Sequence, residues 1–313
     1  MDNIVFDRME AENLPSVVKI IGVGGCGGNI VENICKKGLR DIKVDYALID
    51  NDRKALDARK AVGDKHFVDK DDANLYRKLR AAIGNRAGII IVIAGMGGEN
   101  SAPIVSTLCS LFKPSPDDDD TKNNISIVYA VVPFAFERRE KKVSNDLAMI
   151  SEQATKVITF ENDDLRNNIN ISINSAFEKV DEHAYNIINT LSQTILNSGI
   201  NIDYNDIATV LQYGDRMVFA NGSGHGEKRM EEASDNMIKN IELSGTQMCN
   251  IAYMILLISF SKTVLLTPLE VYTTIDKLRC LIGDHLDILW GVHEDESLED
   301  NRLTISAIMT VKN

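Results

Sequence analysis

The stretch KIIGVGGCGGNIVENI, residues 19–34, decides the fold. It continues an apolar run, Val17 to Val23, that predicts a buried strand, and a helix is predicted over Asn29–Lys37 with Gly38 as its cap. Between strand and helix lie the glycines Gly22, Gly24, Gly25, Gly27 and Gly28. Glycines let a phosphate approach the backbone, and a helix start offers unpaired N–H groups and a positive dipole. The stretch therefore predicts a phosphate-binding turn, with a ligand-free tight turn as the plain alternative.

The glycine spacing also matches another class of nucleotide site. Gly22-x-Gly24-x-x-Gly27 between a strand and a helix is the dinucleotide fingerprint. Asp50 and Asp52 follow the next predicted strand, Val44–Ile49, where an acid could hold a ribose hydroxyl. A dehydrogenase that binds NAD is therefore a rival interpretation of these residues.

The first half of the chain alternates strands with helices. Further strands are predicted over Gly88–Ala94 and Ile125–Val132, and helices over Ala73–Ile83 and from Ala102, with Ser101 as its N-cap. The Gly88–Ala94 strand also ends in glycines. Strand–helix alternation with glycines at the carboxyl ends of strands is typical of a doubly wound parallel sheet. The fold class is therefore α/β, with a nucleotide-binding domain over residues 1–172.

The second half of the chain has a different pattern of predicted helices and strands. Apolar residues, Phe177 among them, recur at helical spacing from Ile173 to Leu196, which predicts a helix roughly 36 Å long that ends by Gly199. After it come a strand near Met217–Ala220, a charged helix over Gly226–Ile241 and an apolar strand within Met248–Phe260. A helix over Pro268–Leu281 and strands over Leu286–Val292 and Leu303–Val311 follow. We therefore expect a central helix over residues 173–199 and a second, α+β domain over residues 200–313.

Composition limits the classes of partner. The net charge is −12, which disfavours nucleic acid and anionic bilayers as partners. The longest apolar run, Met248–Phe260, is too short to cross a membrane, and the amino terminus lacks a hydrophobic signal core. The five cysteines are scattered, which favours free thiols in a reducing compartment. We expect a cytoplasmic protein without a metal-binding cysteine motif.

Seven segments together resemble the FtsZ/tubulin superfamily. KIIGVGGCGGNIVENI is similar to the first nucleotide loop of FtsZ, and IAGMGG, residues 93–98, to the start of the tubulin-type glycine loop. VVPFAFERREKK, VITFENDDL and GINIDYNDIATV resemble the ribose segment, the base segment and the synergy loop of that family. GSGHGEKRMEEA and LSG, residues 243–245, resemble its second domain. The resemblance keeps the same order across essentially the whole chain and disfavours the dehydrogenase.

The resemblance implies a guanine-nucleotide site. GTP or GDP would be the cofactor, with Mg²⁺ only when GTP is bound. The positions that match the family's phosphate loops are Gly24, Gly25, Cys26, Gly27, Gly28, Asn29, Gly95, Gly97 and Gly98. Glu137 and Lys141 match the ribose segment, Asn162 matches the base-contacting asparagine, and Asp181 with Glu182 falls where the family faces guanine. Cysteine at position 26 would be strained if that position required a positive φ.

The resemblance also implies catalysis between subunits. In the family, the synergy loop of one protomer enters the nucleotide pocket of the next, and its acids position the attacking water. Asn201, Asp203 and Asp206 match that loop, with Asp203 and Asp206 as the candidates that polarise water. The plain alternative for this Asn-x-Asp-x-x-Asp is a helix N-cap with acids near the dipole.

The second glycine loop departs from the family pattern. IAGMGG runs directly into Glu99, about three residues short, and the segment DKDDAN before Leu75 lacks the glycines that sense the terminal phosphate. Because each charge-assisted donor is worth roughly 1.5–3 kcal/mol, we expect weak triphosphate binding and little hydrolysis. One hypothesis makes Glu99 an internal anion at the helix start; the alternative is that Glu99 points to solvent.

Three functional hypotheses follow. The first is an FtsZ-like protein that assembles head to tail with itself into protofilaments, with weak or lost GTP hydrolysis. The second is an active GTPase of the family in cell division. The third is a regulator that co-assembles with an authentic FtsZ and offers Asp203 and Asp206 to its pocket.

Overall fold

The computed structural model describes residues 18–39, 44–84, 88–115, 121, 124–163, 172–196, 204–214 and 216–312. Its first layer is a parallel six-stranded sheet in the order β3-β2-β1-β4-β5-β6. The strands are β1 (Val18–Val23), β2 (Asp45–Asp50), β3 (Lys65–Phe67), β4 (Ile89–Gly95), β5 (Ile125–Val132) and β6 (Lys156–Glu161). This order is that of a doubly wound sheet, so the predicted fold class is confirmed.

Helices cover both faces of the sheet, because strands buried on both sides present apolar residues to each face. The helices of this half are α1 (Gly24–Lys37), α2 (Arg53–Ala58), α3 (Leu75–Ile83), α4 (Ser101–Leu111) and α5 (Glu140–Ser151). Ile20 packs with apolar residues of α1, whereas Ile21 packs on the opposite face with residues of α3 and α4. The glycine cluster is itself the first turn of α1, so the predicted start at Asn29 was wrong.

The long helix α6 (Ile173–Leu196) has the predicted bounds and leads to α7 (Tyr204–Gln212). A second, four-stranded sheet follows in the order β7-β10-β8-β9. Its strands are β7 (Arg216–His225), β8 (Ile251–Phe260), β9 (Asp287–Glu294) and β10 (Arg302–Val311), and its helices are α8 (Arg229–Leu243) and α9 (Pro268–Ile282). The apolar run is therefore a buried strand, as predicted, while the domain boundaries stay predictions.

Helix α6 joins the two sheets through His183. The hydroxyl of Tyr129 on β5 lies 2.9 Å from His183 Nδ1, and the ring of Phe219 on β7 packs edge-on against the imidazole. Burial lowers the pKa of His183 to about 4, so the imidazole is neutral at physiological pH.

Across the described ranges, no helix combines the length and apolar character that a bilayer crossing requires.

Candidate functional site

A crevice opens where the strand order of the first sheet reverses. Strands β1 and β4 are neighbours, with Val23 opposite Ala94, while β2 lies on the other side of β1. Both glycine clusters follow these two strands, so they meet at the carboxyl edge of the sheet. Ligands of doubly wound folds bind at this topological switch point.

The first glycine turn brings α1 close to the sheet. A β-carbon at Gly27 would lie 1.9 Å from the carbonyl oxygen of Ile93, so only glycine permits this approach between α1 and β4. A β-carbon at Gly25 would meet no heavy atom within 4 Å, so Gly25 borders open space. Gly27 therefore has a packing role, and Gly25 faces the place where a ligand would sit.

Cys26 fits its position without backbone strain, because the non-glycine residues with positive φ are Arg138 and Asn301 in the described part of the chain. Its side chain packs against Gly95, the last residue of β4. Burial, with a smaller contribution from the charge of Asp181, raises the pKa of Cys26 to about 11. The thiol is thus neutral at physiological pH and is not a nucleophile.

The backbone donors of the second glycine turn are already engaged within the protein. The N–H of Met96 donates to the carbonyl of Val131 at 2.9 Å. Gly97, with φ +81°, donates its N–H to Asp146 Oδ2 at 2.8 Å, and the Asp146 carboxylate is buried on α5. A ligand phosphate therefore gains no donor from Met96 or Gly97 unless these bonds break.

Asp181 on α6 faces the first glycine turn. Asn33 on α1 donates to Asp181 Oδ2 at 2.7 Å. Burial, together with the nearby charge of Glu178, raises the pKa of Asp181. Glu182 points elsewhere and lines a polar cleft between α6 and the second sheet.

The apolar stripe predicted that Phe177 lies in the core, but 55% of its surface is exposed to solvent. It precedes Asp181 by one helical turn and so shares a face of α6 with it. Sequence reasoning missed this residue, since its spacing fits the apolar stripe. An exposed ring beside a carboxylate offers a stacking surface for a base.

The ribose and base segments follow β5 and β6. Glu137 and Lys141 are exposed after β5, and Glu137 lies 3.7 Å from Arg139. Asn162 follows β6 and is buried, and its Oδ1 has no hydrogen-bond partner among the described residues. A buried amide oxygen without a partner is costly, which makes Asn162 a candidate ligand contact.

Comparison with known proteins supports the family resemblance. The chain is 27% identical over 311 residues to the cell division protein FtsZ of Porphyromonas gingivalis, covering 91% of this chain and 65% of that protein. The chain thus spans less than two thirds of that relative's length. An FtsZ dimer structure from M. jannaschii superposes with a TM-score of 0.79 at 19% identity, covering 95% of this chain and 88% of that one.

The chain is similar in sequence to FtsZ and has the fold of the FtsZ/tubulin superfamily. A structure described as a GTPγS-bound protofilament of CetZ2 from Haloferax volcanii has the same fold, with a TM-score of 0.68 at 14% identity over 95% of this chain and 93% of that one. No protein-family model matches the chain. The low identities make it a divergent FtsZ-like protein.

This FtsZ-like chain carries a buried cation, Arg59, beside its first glycine turn. Only 8% of Arg59 is exposed. Its Nη2 donates to the Gly25 carbonyl at 3.0 Å and to Asn29 Oδ1 at 3.1 Å, and its Nη1 lies 3.5 Å from Asp50 Oδ2. Asp50 is therefore paired inside the protein. Asp52 caps α2 by accepting from the Ala55 N–H at 3.1 Å. Of the two acids that the dinucleotide alternative named, Asp50 is therefore engaged by Arg59.

The phosphate end of the crevice is small. A cleft of 180 Å³ lies between Gly24, Gly25, Asp50 and the Glu99–Ser101 segment, below the roughly 300 Å³ at which ligand pockets begin. The Glu99 side chain is 80% exposed and lies 4.0 Å from Lys70 Nζ. The hypothesis that Glu99 is an inward-facing anion was therefore wrong.

Asn100, rather than Ser101, is the N-cap residue of α4.

The acidic loop of the FtsZ-like chain lies only partly within the described residues. Asn201 and Asp203 lie outside them, and Asp206 is exposed in the first turn of α7. Helix α7 ends near the amino edge of the first sheet, because Lys156 at the start of β6 donates to the carbonyl of Gly214, just after α7. No group of three or more His, Cys, Asp or Glu residues forms a metal site within the described ranges.

Proposed function

We propose that this chain is a cytoskeletal subunit of the FtsZ type that stacks head to tail into protofilaments and serves cell division. Its curated relative is named a cell division protein, and its structural neighbour CetZ2 forms a protofilament. The proposed compartment is the cytoplasm, because the five cysteines of this chain are free thiols.

The position of α7, which carries Asp206, supports this proposal. The glycine turns lie at the carboxyl edge of the first sheet, whereas α7 ends near its amino edge. Asp181 faces the first glycine turn, and the helix rises roughly 22 Å from there to Leu196 at the end of α6. We infer that Asp206 lies out of reach of the glycine turns of its own chain, so that a complete site would need a second copy stacked in the same direction.

We propose a guanine nucleotide as the ligand of the crevice. The N–H groups at the start of α1, at Gly25, Cys26 and Gly27, would hold one phosphate. Asn29, Asn162 and Asp181 would contact the nucleoside, with the Asp181 carboxylate accepting from the guanine edge. The exposed ring of Phe177 would stack on the base. These residues fit a nucleoside with one phosphate better than a triphosphate.

We propose that the terminal phosphates are held weakly. The N–H groups of Met96 and Gly97 donate to Val131 and Asp146, so they are not free for a ligand. Because each such donor is worth roughly 1.5–3 kcal/mol, their loss lowers triphosphate affinity by several orders of magnitude relative to an open glycine loop. Mg²⁺ would enter only with GTP, and hydrolysis would be slow or absent.

Sedimentation and electron microscopy of the purified chain test the proposal. We expect pelletable single-stranded filaments, with little dependence on GTP over GDP and little phosphate release. Extraction and chromatography of the purified protein should recover guanine nucleotide at low occupancy. Monomers under all conditions would show that the assembly proposal is wrong.

A second candidate is a regulator that co-assembles with an authentic FtsZ. The exposed Asp206 and the engaged N–H groups of the second glycine turn favour this alternative, because the chain offers an acid while lacking a full pocket. We expect the chain to raise phosphate release by an authentic FtsZ and the Asp206→Ala variant to lose this effect. Equal stimulation by both proteins would exclude Asp206 from such a role.

A further inference from the structure

The turn that follows β3 lies at the phosphate end of the crevice. The N–H of Val68 donates to the carbonyl of Asp50, the last residue of β2, at 3.0 Å, and the Val68 side chain is fully buried. The turn itself, Asp69–Asp72, closes with the Asp72 N–H donating to the Asp69 carbonyl at 3.1 Å. These bonds hold the turn beside the 180 Å³ cleft that Asp50 helps to line.

The carboxylate of Asp69 connects the two sides of that cleft. Its Oδ1 accepts from the Asp71 N–H at 3.1 Å, which fixes the side chain within its own turn. Its Oδ2 accepts from Asn51 Nδ2 at 3.1 Å and from Asn100 Nδ2 at 3.5 Å. Asn51 follows β2 and Asn100 precedes α4, and both line the cleft. Asp69 therefore links the cleft wall after β2 to the wall after β4.

The side chain of Asn100 turns to Asp69 instead of capping α4. An asparagine at an N-cap normally accepts from an N–H of the first helical turn. Asn100 makes no such bond, and its Oδ1 is buried without a hydrogen-bond partner among the described residues. Lys70 and Glu99 form a second contact across the same gap, with Nζ and Oε2 4.0 Å apart. The turn after β3 is thus connected to the start of α4 at two adjacent positions.

The hydrogen bonds to Asp69 favour its charged form. The N–H of Asp71 and, next, the amide of Asn51 lower the pKa of the Asp69 carboxyl. The carboxylate is therefore ionised at physiological pH, and a negative charge is fixed at the end of the crevice. Like charges repel more strongly at short range and where water is excluded. Each further phosphate of a nucleotide adds to this repulsion, so a triphosphate is opposed more than a monophosphate.

We propose that Asp69 determines the specificity of the crevice by excluding the terminal phosphates of a nucleoside triphosphate. The inference rests on the proposed guanine-nucleotide site and names guanosine monophosphate (GMP), rather than GTP, as its ligand. In a cleft of 180 Å³, terminal phosphates would also need Asp69 to separate from Asn51 and Asn100. Asp69 acts in addition to the engaged N–H groups of the second glycine turn, because it opposes the phosphates directly instead of withholding donors.

Substitution of Asp69 separates its charge from its shape. Asp69→Asn removes the charge and keeps the size of the side chain, while Asp71→Asn removes one charge from an exposed position of the same turn. In calorimetric titrations without Mg²⁺, we expect the original chain to bind GMP more tightly than GTP. Asp69→Asn should raise the affinity for GTP about tenfold and that for GMP less than about threefold. Asp71→Asn should change both by less than about twofold, because an exposed charge is screened.

Asp69→Glu, which keeps the charge, should retain the preference for GMP. Equal gains in GTP affinity from Asp69→Asn and Asp71→Asn would show an effect of net charge alone and overturn the role of Asp69. A repeat with Mg²⁺ tests the opposite role, since weaker binding of Mg²⁺-GTP by Asp69→Asn would make the carboxylate a cation ligand and overturn the exclusion. In both cases, binding of GMP by the original chain would leave the proposed nucleotide site standing. An original chain and variants that bind neither nucleotide would overturn the site and this inference together.

Discussion

Arg59 shows how this chain stabilises its first glycine turn from within. A guanidinium that is almost fully buried needs acceptors and a counter-ion. Here Nη2 donates to the Gly25 carbonyl and to Asn29 Oδ1, and the Asp50 carboxylate lies 3.5 Å from Nη1 as the counter-ion. The Nε and Nη1 atoms of Arg59 and Oδ2 of Asp50 lack hydrogen bonds among the described residues, so this pair is held by charge rather than by ideal geometry. The backbone at Gly25 thus depends on a side chain from another element.

Removing Arg59 should destabilise the fold more than removing both charges. Arg59→Met leaves the buried Asp50 carboxylate without its cation, and we expect the free energy of unfolding to fall by about 3 kcal/mol. Arg59→Met combined with Asp50→Asn should recover at least about half of that loss, because no buried charge remains. Urea titrations followed by circular dichroism measure both values. Strictly additive losses would contradict a direct Arg59–Asp50 pair.

At the scale of single residues, the sequence predicted those that belong to contiguous motifs. Cys26 and Gly25 follow from the glycine cluster, and Asp181 from its place in the long helix. Arg59 and Asp146 were not predicted, because each acts through contacts with residues distant in sequence that no local pattern encodes. For Glu99 the sequence left two interpretations open, an internal anion at the helix start and a residue that points to solvent, and its 80% exposed side chain supports the second.

At the scale of elements, the packing of α1 on β4 depends on Gly27. An alanine there would place its β-carbon 1.9 Å from the Ile93 carbonyl oxygen, and we expect Gly27→Ala to lower the free energy of unfolding by more than about 3 kcal/mol. Gly25→Ala is the matched control, since its β-carbon enters open space and alanine favours helix; a change below about 1 kcal/mol is expected. Thermal and urea unfolding compare the two variants, and equal losses would contradict this packing role.

The joint between the two sheets should make stability depend on pH through His183. Burial lowers its pKa to about 4, whereas an unfolded histidine titrates near 6.5. Between these values the unfolded state binds a proton that the folded state does not, so the free energy of unfolding falls as the pH falls from about 6.5 to about 4. The contribution of this one group reaches about 3 kcal/mol.

His183→Gln isolates that contribution from the titration of the carboxyl groups. We expect the variant to lose less stability than the original chain between pH 6.5 and pH 4.5 in urea titrations. Tyr129→Phe, which removes only the hydroxyl bonded to Nδ1, should retain the histidine-dependent slope. Parallel pH profiles of the original chain and His183→Gln would show that the imidazole does not resist protonation.

The longest apolar patterns gave the most accurate element bounds. Ile173–Leu196 and Ile125–Val132 match their predictions, because many buried residues in one register define each element. The short β3 and α2 carry too few apolar residues for a periodic signal, and α5 begins amid charged residues. Helix α1 begins earlier than predicted because glycines have a low intrinsic helix preference, whereas here Gly25–Gly28 are helical and the Gly25 carbonyl accepts from Arg59.

At the scale of the whole molecule, the two sheets and α6 give the protein two different ends. The glycine turns lie at one pole of the first sheet, and the end of α7 lies near the other. The proposed head-to-tail stacking would use this polarity and stay open-ended, whereas an isologous dimer would bury the same surface twice and stop. The two poles can therefore be blocked independently by single substitutions.

Gly25→Trp should block one pole, since the position borders open space that the indole can fill, and Asp206→Arg should block the other. We expect each variant alone to sediment as a monomer where the original chain forms polymers. An equimolar mixture should form dimers and nothing larger, because one blocked pole and one intact pole remain on each chain. Analytical ultracentrifugation distinguishes these species at one protein concentration.

The mixture separates polar stacking from every symmetric arrangement. In an isologous dimer the two chains use one common surface, so at least one single variant would still pair with itself and mixing would add no new species. Gly25→Ala and Asp206→Asn are the matched controls, which should assemble more readily than the blocking variants because neither adds bulk or reverses charge. A chain with both blocking substitutions should stay monomeric even in the mixture, because it has no intact pole. Dimers of Gly25→Trp or of Asp206→Arg alone would contradict head-to-tail assembly through these two poles.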